Sequence, residues 1–272
     1  GTGATDYEAK AGGTILLTDD DPTVTTGGGS LSFSTGDIVL STAGTTTFTT
    51  GAGGGDITIA GKIDGTATEA EALAITSGTG NIAIQGAIGA DAVLAGLSIN
   101  ATDGASGTIE VANIGDDNAE GVNTGTVSIG NNATVSLTLD GTVYKTDGAT
   151  IYEAKSGDTI LLTGASPTIQ TKADNLTFDL GNLVLSTDGT TTINTNLNAA
   201  SDAGNLQIDG KINTSSSTEA LVLNAGTGTL TVDGAIGDTG AFTTITIGGG
   251  SANGPIEVSN IGGTNAGASG AV

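Results

Sequence analysis

The chain contains a long internal duplication. The segment TDYEAKAGGTILLT at 5–18 returns as TIYEAKSGDTILLT at 150–163, and IAGKI at 59–63 returns as IDGKI at 208–212. Within each copy, a shorter period of strand-like segments recurs. Such a double period is typical of repeat architectures in which neighbouring units stack on one another, and it disfavours a conventional globular enzyme.

The shorter period joins segments of one pattern. DITIAGKI at 56–63, NIAIQGAI at 81–88 and TIEVANI at 108–114 start 25 and then 27 residues apart, and the second copy repeats them in the same order. A second strand type lies between them, as EALAI at 71–75 and GLSIN at 96–100. Two strand types within about 24–27 residues predict an all-β parallel β-helix, or β-solenoid, with one coil per period.

Alternation of apolar and polar residues assigns the faces of these strands. Because side chains of a strand alternate between its two sides, one set points into the coil while Thr58 and its equivalents face water. The residues predicted to point inward are Ile57, Ile59, Ile82, Ile84, Ile109, Val111, Leu206, Ile208, Leu230, Val232, Ile256 and Val258. Glycine interrupts the same frame at Gly61, Gly86, Gly210 and Gly234, where we expect the chain to bend between faces.

Two tandem copies follow from the duplication, at 1–145 and 146–272, with the second ending before its pattern is complete. The segment 131–150 between them is itself strand-like, so we expect one continuous solenoid, with a break there as the alternative. Tandem β-sandwiches, one for each copy, would also explain the strand-like segments. They would not explain the shorter period.

Composition limits the chemistry that the chain can perform. Histidine and cysteine are absent, which excludes Ser-His-Asp and Cys-His catalysis and histidine-bearing zinc sites. The 29 acidic residues supply pairs that a carbohydrate-active β-helix could use, but aromatic platforms for sugars are scarce, with three Tyr and four Phe. We therefore predict that the chain is not an enzyme, and a glycoside-cleaving β-helix is the enzymatic alternative.

The net charge of −23 limits the partners. Nucleic acid and anionic lipid surfaces require clustered cations, whereas this chain has six Lys and no Arg. Because every apolar run is shorter than the ~18 residues that a membrane helix needs, we predict no membrane insertion. Neither partner class suits this sequence.

Two acidic clusters are candidate calcium sites, because oxygen-rich loops bind this ion. They consist of Asp19, Asp20 and Asp21, and of Asp116 and Asp117. The second copy has Gly164-Ala165-Ser166 and Gly263-Thr264 at the corresponding places. Since a metal needed by every repeat would keep its ligands, a solvated acidic turn is the favoured interpretation, and we predict no other cofactor.

The segment NAGTGTLTVDGAIG at 224–237, together with the EALxI-type strands, resembles repeats of giant secreted bacterial proteins. These are the filamentous-haemagglutinin-like and "beta strand repeat" surface proteins. The resemblance covers about two thirds of each copy and implies a right-handed parallel β-helix, export to the cell surface, and a role in adhesion, coats or fibres. A secretion region and a cell-wall anchor are not recognisable, so we expect an excerpt of a longer protein.

Together these features predict an extracellular structural segment that forms a rigid stalk, filament or surface coat and associates with neighbouring copies or chains. The alternative is an adhesin whose exposed loops bind a glycan or a cell-surface receptor. A fibre would show ordered self-association, whereas an adhesin would show isolated rods that bind cells or sugars.

Overall fold

A computed structural model describes residues 3–66, 70–102, 104–186, 188–196, 204–216, 218–248 and 254–262. Over these ranges the chain consists of strands joined by turns, and its helical structure is the 3₁₀ turn Gly51–Gly53. The predicted all-β class is confirmed.

The strands are short, mostly three to six residues. The first fifteen are β1 (Thr5–Glu8), β2 (Thr14–Leu17), β3 (Thr23–Thr25), β4 (Leu31–Thr35), β5 (Asp37–Leu40), β6 (Gly44–Thr49), β7 (Ile57–Ile59), β8 (Ile63–Asp64), β9 (Glu71–Thr76), β10 (Ile82–Ile84), β11 (Gly96–Ile99), β12 (Ile109–Val111), β13 (Val127–Gly130), β14 (Ser136–Leu139) and β15 (Val143–Thr146). The others are β16 (Thr150–Glu153), β17 (Thr159–Leu162), β18 (Thr168–Thr171), β19 (Leu176–Asp179), β20 (Asn182–Leu185), β21 (Thr190–Asn194), β22 (Leu206–Ile208), β23 (Ile212–Thr214), β24 (Ala220–Asn224), β25 (Leu230–Ile236), β26 (Thr244–Ile247) and β27 (Ile256–Ile261).

Parallel pairing arranges the strands in three stacks, which each turn of the chain visits in the order A, B, C. Stack A contains β1, β4, β7, β10, β12, β14, β17, β20 and β23, and then Ile236 and Ile261. Stack B contains β2, β5, β8, the single residues Ile88 and Ile114, and then β15, β18, β21, β24 and β26. Stack C contains β3, β6, β9, β11, β13, β16, β19, β22, β25 and β27. The protein is a parallel β-solenoid of about ten turns, as the sequence predicted.

The prediction of two strand types in each turn is wrong, because each turn has three faces. The third strand follows the glycine bend and is short: β8 has two residues, and the next two turns place isolated bridge residues in stack B, Ile88 and Leu94 in one turn and Ile114 and Val122 in the other. Turn length also varies more than predicted. Leu183 is 23 residues after its stack partner Ile160 and 29 residues before Ile212. The corners absorb this variation, since the paired strand residues stay in register.

The side chains predicted to point inward form continuous buried ladders. Ile57 and Ile59 pair in register with Ile82 and Ile84, and all four are at most 1% exposed. The exceptions are Ile256 and Val258 of the last described turn, which are exposed and half-buried because no described strand lies beyond them. Burial of a ladder residue therefore depends on a neighbour at each side.

The glycines of the bend are required by close stacking of the backbone. A Cβ on Gly86 would lie 2.1 Å from the carbonyl oxygen of Gly61, and one on Gly61 would lie 2.0 Å from that of Gly36. Gly210 and Gly234 repeat this contact in the second copy. The φ angles of Gly61 and Gly86 lie outside the left-handed region, so the missing side chain matters for space and not for backbone conformation.

Side chains at the corners join each turn to the next. Asp56 Oδ1 accepts a hydrogen bond from the amide of Asn81 at 2.8 Å, and Asn81 Oδ1 accepts one from the amide of Thr108 at 3.0 Å. The second copy repeats this series with Asn175, Asn205 and Thr229. Backbone amides that would lack a partner at the corner are satisfied in this way.

The duplicated sequence does not contain a whole number of turns. Its first strand lies in stack A as β1 and in stack C as β16. Five full turns begin with β1, β4, β7, β10 and β12, and β14 and β15 fill two faces of the next turn before β16 starts the second copy. Equivalent residues of the two copies therefore lie on different faces of the solenoid.

Candidate functional site

The first acidic cluster forms the corner between β2 and β3. Asp21 Oδ1 accepts a hydrogen bond from the amide of Thr45 in the next turn at 2.6 Å, and Asp21 has a left-handed φ of 48°. In the second copy Ser166 takes this place with a φ of 51°, and its hydroxyl accepts a hydrogen bond from the amide of Thr190 at 3.3 Å. The position therefore keeps its corner contact without a carboxylate, which is the behaviour of a structural cap.

The second acidic cluster lies between Ile114 and β13. Asp116 Oδ1 accepts hydrogen bonds from the amides of Asn118 and Ala119, both at 2.7 Å. These bonds stabilise the carboxylate and lower the pKa of Asp116. The backbone carbonyl of Asp117 accepts a hydrogen bond from Lys145 Nζ at 2.7 Å. The Asp116 carboxylate thus forms its hydrogen bonds within its own loop.

The two clusters do not meet, because they lie in the first and the fifth turns. The described residues include no group of three or more acidic side chains placed to hold a metal ion. Asp19 contributes its carbonyl oxygen to the Thr42 hydroxyl at 2.5 Å, and Asp20 lies beside it on the exposed corner. Calcium at these loops stays a prediction.

A column of carboxylates that sequence reasoning missed follows stack C in the second copy. Phe178, Ile208 and Val232 are stack partners, so Asp179, Asp209 and Asp233, which each come next in the chain, lie one above another. Gln207 Nε2 donates hydrogen bonds to Asp209 Oδ1 at 2.6 Å and to Asp233 Oδ2 at 3.0 Å. Burial, and then the neighbouring Asp209, raise the pKa of Asp179. The sequence signal was the shared position of these aspartates directly after an inward residue.

Two lysines form the same ion pair in both copies. Lys62 Nζ lies 2.8 Å from Asp91 Oδ2, and Lys211 Nζ lies 2.6 Å from Asp238 Oδ2. The hydrogen bond to Asp91 is the main reason why the pKa of Lys62 is raised. Each pair joins one turn to the next at an exposed corner, where solvent screening keeps its contribution to stability small.

Buried carboxylates also recur in both copies, at the corner before stack C or stack B. Burial acts to raise the pKa of Glu71, but hydrogen bonds from the Thr66 hydroxyl and from the amide of Ala70, at 3.0 Å, outweigh it and lower the pKa. Its equivalent Glu219 accepts a hydrogen bond from the Thr191 hydroxyl at 3.1 Å. Both side chains are buried, and their hydrogen bonds stabilise the corner.

Two hollows on the surface are large enough to consider as sites for glycoside hydrolysis, which requires a pair of carboxylates. The larger, about 420 Å³, lies between the corner loops of three successive turns. Its lining residues are Gly51, Ala52, Thr76, Gly78, Thr79, Thr102, Gly104 and Ala105, none of them ionisable. The smaller, about 290 Å³, contains one carboxylate, Asp91, which is paired with Lys62. Neither hollow brings together the two carboxylates that glycoside hydrolysis uses.

No family model matches this chain, and neither the curated proteins nor the solved structures contain a significant match. Within the described ranges, no helix is long and apolar enough to cross a membrane. A proposal for function therefore depends on the geometry of the chain itself.

Proposed function

We propose that this chain is a structural segment of an extracellular β-solenoid, which forms a rigid stalk, filament or surface coat. The supporting observation is the continuity of the three parallel stacks across the boundary between the copies. β13 pairs with β16, β14 with β17, and β15 with β18, all in parallel register. A rod without a hinge between its repeats is suited to a mechanical role.

The geometry of the stacks favours stiffness along one axis. About ten turns at the ~4.8 Å spacing of paired strands give a rod roughly 48 Å long. Backbone hydrogen bonds and corner contacts both run along this axis, so bending the rod would break many of them together. Stacking also gives each strand between the first and the last described turns a parallel partner on both sides, so these strands present no open edge.

The charge of the rod supports a separate stalk or filament. A net charge of −23 makes the sides of neighbouring rods repel one another, which favours solubility over lateral aggregation. The placement outside the cell is supported by the resemblance to secreted surface repeats and by the shortage of lysine and arginine as sites for trypsin-like proteases.

Imaging of rods tests the proposal directly. Rotary-shadowed particles of the chain should be straight. A variant with a second copy of residues 5–149 inserted before Thr150 should be longer by about 27 Å, since the insert adds five and two-thirds turns at ~4.8 Å. An inserted spacer of equal length rich in Gly and Ser should instead produce two rods joined at a variable angle. Bent or compact particles from the first variant would contradict the stalk.

The location and the adhesin alternative need their own measurement. An antibody against the chain should label intact producing cells, and protease treatment of those cells should remove the signal. On a glycan array the chain should bind no sugar above the level of an acidic control protein. Saturable binding that is lost when exposed loops are replaced would favour the adhesin, and labelling only after cell lysis would contradict the extracellular role.

A further inference from the structure

Two areas on the sides of the solenoid present strands whose outward residues are all uncharged. Patch 1 lies on stack C and consists of the outward residues of β6, β9 and β11, which are Thr45, Thr47, Ala72, Ala74, Gly96 and Ser98. Patch 2 lies on stack B and consists of the outward residues of β21, β24 and β26, which are Thr190, Thr192, Ala220, Val222, Thr244 and Thr246. Both patches belong to a chain with 29 acidic residues.

The two patches are equivalent parts of the two copies, and both copies leave them uncharged. Other outward positions differ in this respect. Three of them are uncharged in the first copy and are carboxylates in the second, namely Ser34 and Asp179, Ala60 and Asp209, and Gln85 and Asp233. None of the six pairs of patch positions shows such a change. The absence of charge is therefore a feature of these particular strands and not of the surface in general.

The patches are flat because parallel strands in register place their outward residues in straight rows. Thr47, Ala74 and Ser98 form one row of patch 1. Their equivalents Thr192, Val222 and Thr246 form one row of patch 2. Two sheets with flat faces pack about 10 Å apart with their strands nearly aligned. Side chains as short as these allow two patches to approach to that distance.

The net charge of −23 restricts where two rods can touch. At an ionic strength of 0.15 M the Debye length is about 8 Å, so carboxylates on the far side of a rod are screened, whereas those on the touching surfaces are not. Contact through β19, β22 and β25 would bring the carboxylate column against the neighbour and remove it from water, and both effects are unfavourable. Contact through a patch brings no carboxylate into the interface.

We infer that patches 1 and 2 are lateral contact surfaces and that their partner is a second copy of this chain, packed patch against patch. The inference rests on the proposed function and deepens it, because it names the surfaces through which neighbouring rods of a coat associate. Flatness and the absence of charge make each patch complementary to itself and to the other patch.

A single contact of this kind is weak. Patch 1 together with the uncharged outward residues of the flanking strands β3 and β13 spans five strands, which cover roughly 500 Å² at ~4.8 Å between strands and ~3.3 Å per residue. A stable complex buries about 800 Å² on each partner. The contact therefore matters where rods are held side by side on a surface, because tethering raises their local concentration to the mM range.

The position of the patches determines how many neighbours a rod can hold. Patch 2 lies five and two-thirds turns beyond patch 1, about 27 Å along the axis, and on a different face. One rod can therefore contact one neighbour on each of two faces. Rods joined in this way extend into a layer and do not close into pairs.

Sedimentation equilibrium at about 1 mM protein, in the range that tethering would produce, tests this valency. The unmodified chain should form assemblies larger than dimers. Ala74→Asp places a carboxylate at the centre of patch 1 and should leave assemblies no larger than dimers. Ala74→Asp combined with Val222→Asp should be monomeric, because both patches then carry a charge.

The matched control is Thr58→Asp combined with Thr163→Asp, which adds the same two charges beside stack A, away from both patches. An outward carboxylate is compatible with the fold, since Glu110 holds such a position in the middle of β12. The control should associate as the unmodified chain does. A monomeric unmodified chain, or an equal loss of association in the control and in the doubly substituted patch variant, would overturn the inference.

Crosslinking provides a second measurement that does not depend on the aspartate variants. Because the sequence has no cysteine, a single substitution introduces the only thiol. A short bis-maleimide can join thiols on sheets about 10 Å apart. Chains with Ala74→Cys, alone or mixed with Val222→Cys chains, should give at least about tenfold more linked dimer than chains with Thr58→Cys. Equal yields would also overturn the inference.

The outcomes separate this inference from the proposed function. Straight rods in the imaging experiment without lateral association would overturn the contact surfaces and leave the stalk. Bent particles that still associate through the patches would contradict the stalk alone. Sugar binding by a monomeric chain, lost in Ala74→Asp, would assign patch 1 to a glycan and overturn the inference.

Discussion

Ile84 lies directly over Ile59 in parallel register, and neither side chain has any exposed surface. The column continues to Phe33 on one side and to Val111 on the other. Each side chain is therefore buried by two neighbours that are distant in sequence. A substitution at one position should therefore weaken the packing of the residues on both sides of it.

Replacing Ile84 by alanine should lower the free energy of unfolding by about 2–5 kcal/mol, because it removes buried methyl groups and leaves a cavity between Ile59 and Val111. Urea denaturation followed by circular dichroism measures the change. The control is Thr58→Ala on the outward side of the neighbouring strand, which should change stability by less than about 0.5 kcal/mol. Equal losses in the two variants would contradict the inward ladder.

Two glycines of the solenoid should respond to alanine with opposite sign. At Gly86 the new Cβ would lie 2.1 Å from the carbonyl oxygen of Gly61, so the stacked turns must separate. Gly96 in β11 has room for a Cβ, which would make ordinary van der Waals contacts with Ala72 Cβ and the Thr126 carbonyl oxygen, both at 3.7 Å. Gly86→Ala should therefore lower the melting temperature strongly. Gly96→Ala should be neutral or stabilise by about 0.4–1 kcal/mol through a less flexible unfolded chain.

A melting temperature of Gly86→Ala close to that of the unmodified chain would show that the corner has more room than the stacked backbones indicate. Loss of stability in Gly96→Ala would point to a backbone requirement at that strand. Thermal melts of both variants under the same buffer conditions separate these outcomes.

The parts of the fold that depend on short-range pattern could be predicted from sequence. Alternation placed Ile57 and Ile59 inside, where both are buried. Asn113 comes two residues after the inward Val111, and its Oδ1 accepts hydrogen bonds from the amides of Thr142 and Val143 in the next turn at 2.8 and 3.0 Å. These features are set by residues within one turn and its neighbour.

The position of each copy around the axis could not be found by the same reasoning. It depends on the number of strands between Thr5 and Thr150, and in two turns the stack B strand is reduced to isolated bridges, the first of them at Ile88 and Ile114. One apolar residue after a glycine bend has no alternation to detect, so the third face was missed. The carboxylate column was missed for a related reason, because it depends on which strands are stack partners.

Tyr152 and Tyr144 should respond to phenylalanine in opposite directions. Both rings are buried, 6.5 Å apart between centroids. Among the described residues, Tyr152 Oη has no hydrogen-bond partner, and burial raises the pKa of Tyr152. Tyr144 Oη instead accepts a hydrogen bond from the amide of Gly141 at 2.7 Å and donates one to the carbonyl of Val111 at 2.9 Å.

Tyr152→Phe should raise the free energy of unfolding by about 1 kcal/mol, because an unsatisfied buried hydroxyl is removed, whereas Tyr144→Phe should lower it by about 1–3 kcal/mol, because two buried groups lose their partner. Urea denaturation of the two variants provides the comparison. A loss of stability in Tyr152→Phe would show that its hydroxyl has a partner in solution, such as an ordered water.

The carboxylate column should make stability depend on pH. Burial, and then the neighbouring Asp209, raise the pKa of Asp179 above its ordinary value of 3.8. An acid whose folded pKa is raised destabilises the folded state when it is ionised, and this cost disappears as pH falls from above the folded pKa to below the unfolded one. The contribution of Asp179 to stability should therefore be least favourable at pH 7 and improve as pH falls toward 4.

Asp179→Asn should raise the melting temperature at pH 7, and the difference from the unmodified chain should shrink as pH falls toward 4, since the raised pKa lets the folded carboxyl take up its proton before the unfolded one does. The control is Asp188→Asn. Hydroxyl groups of Thr218 and Ser216 donate to the Asp188 carboxylate and lower its pKa, so this change should lower the melting temperature at pH 7 and lose its effect only as pH falls below the ordinary pKa of 3.8. Thermal melts at pH 7, at pH 4 and below pH 3.8 measure both variants. The same sign for the two substitutions at pH 7 would contradict the view that Asp179 is destabilised by burial and Asp209 while Asp188 is stabilised by its hydroxyl donors.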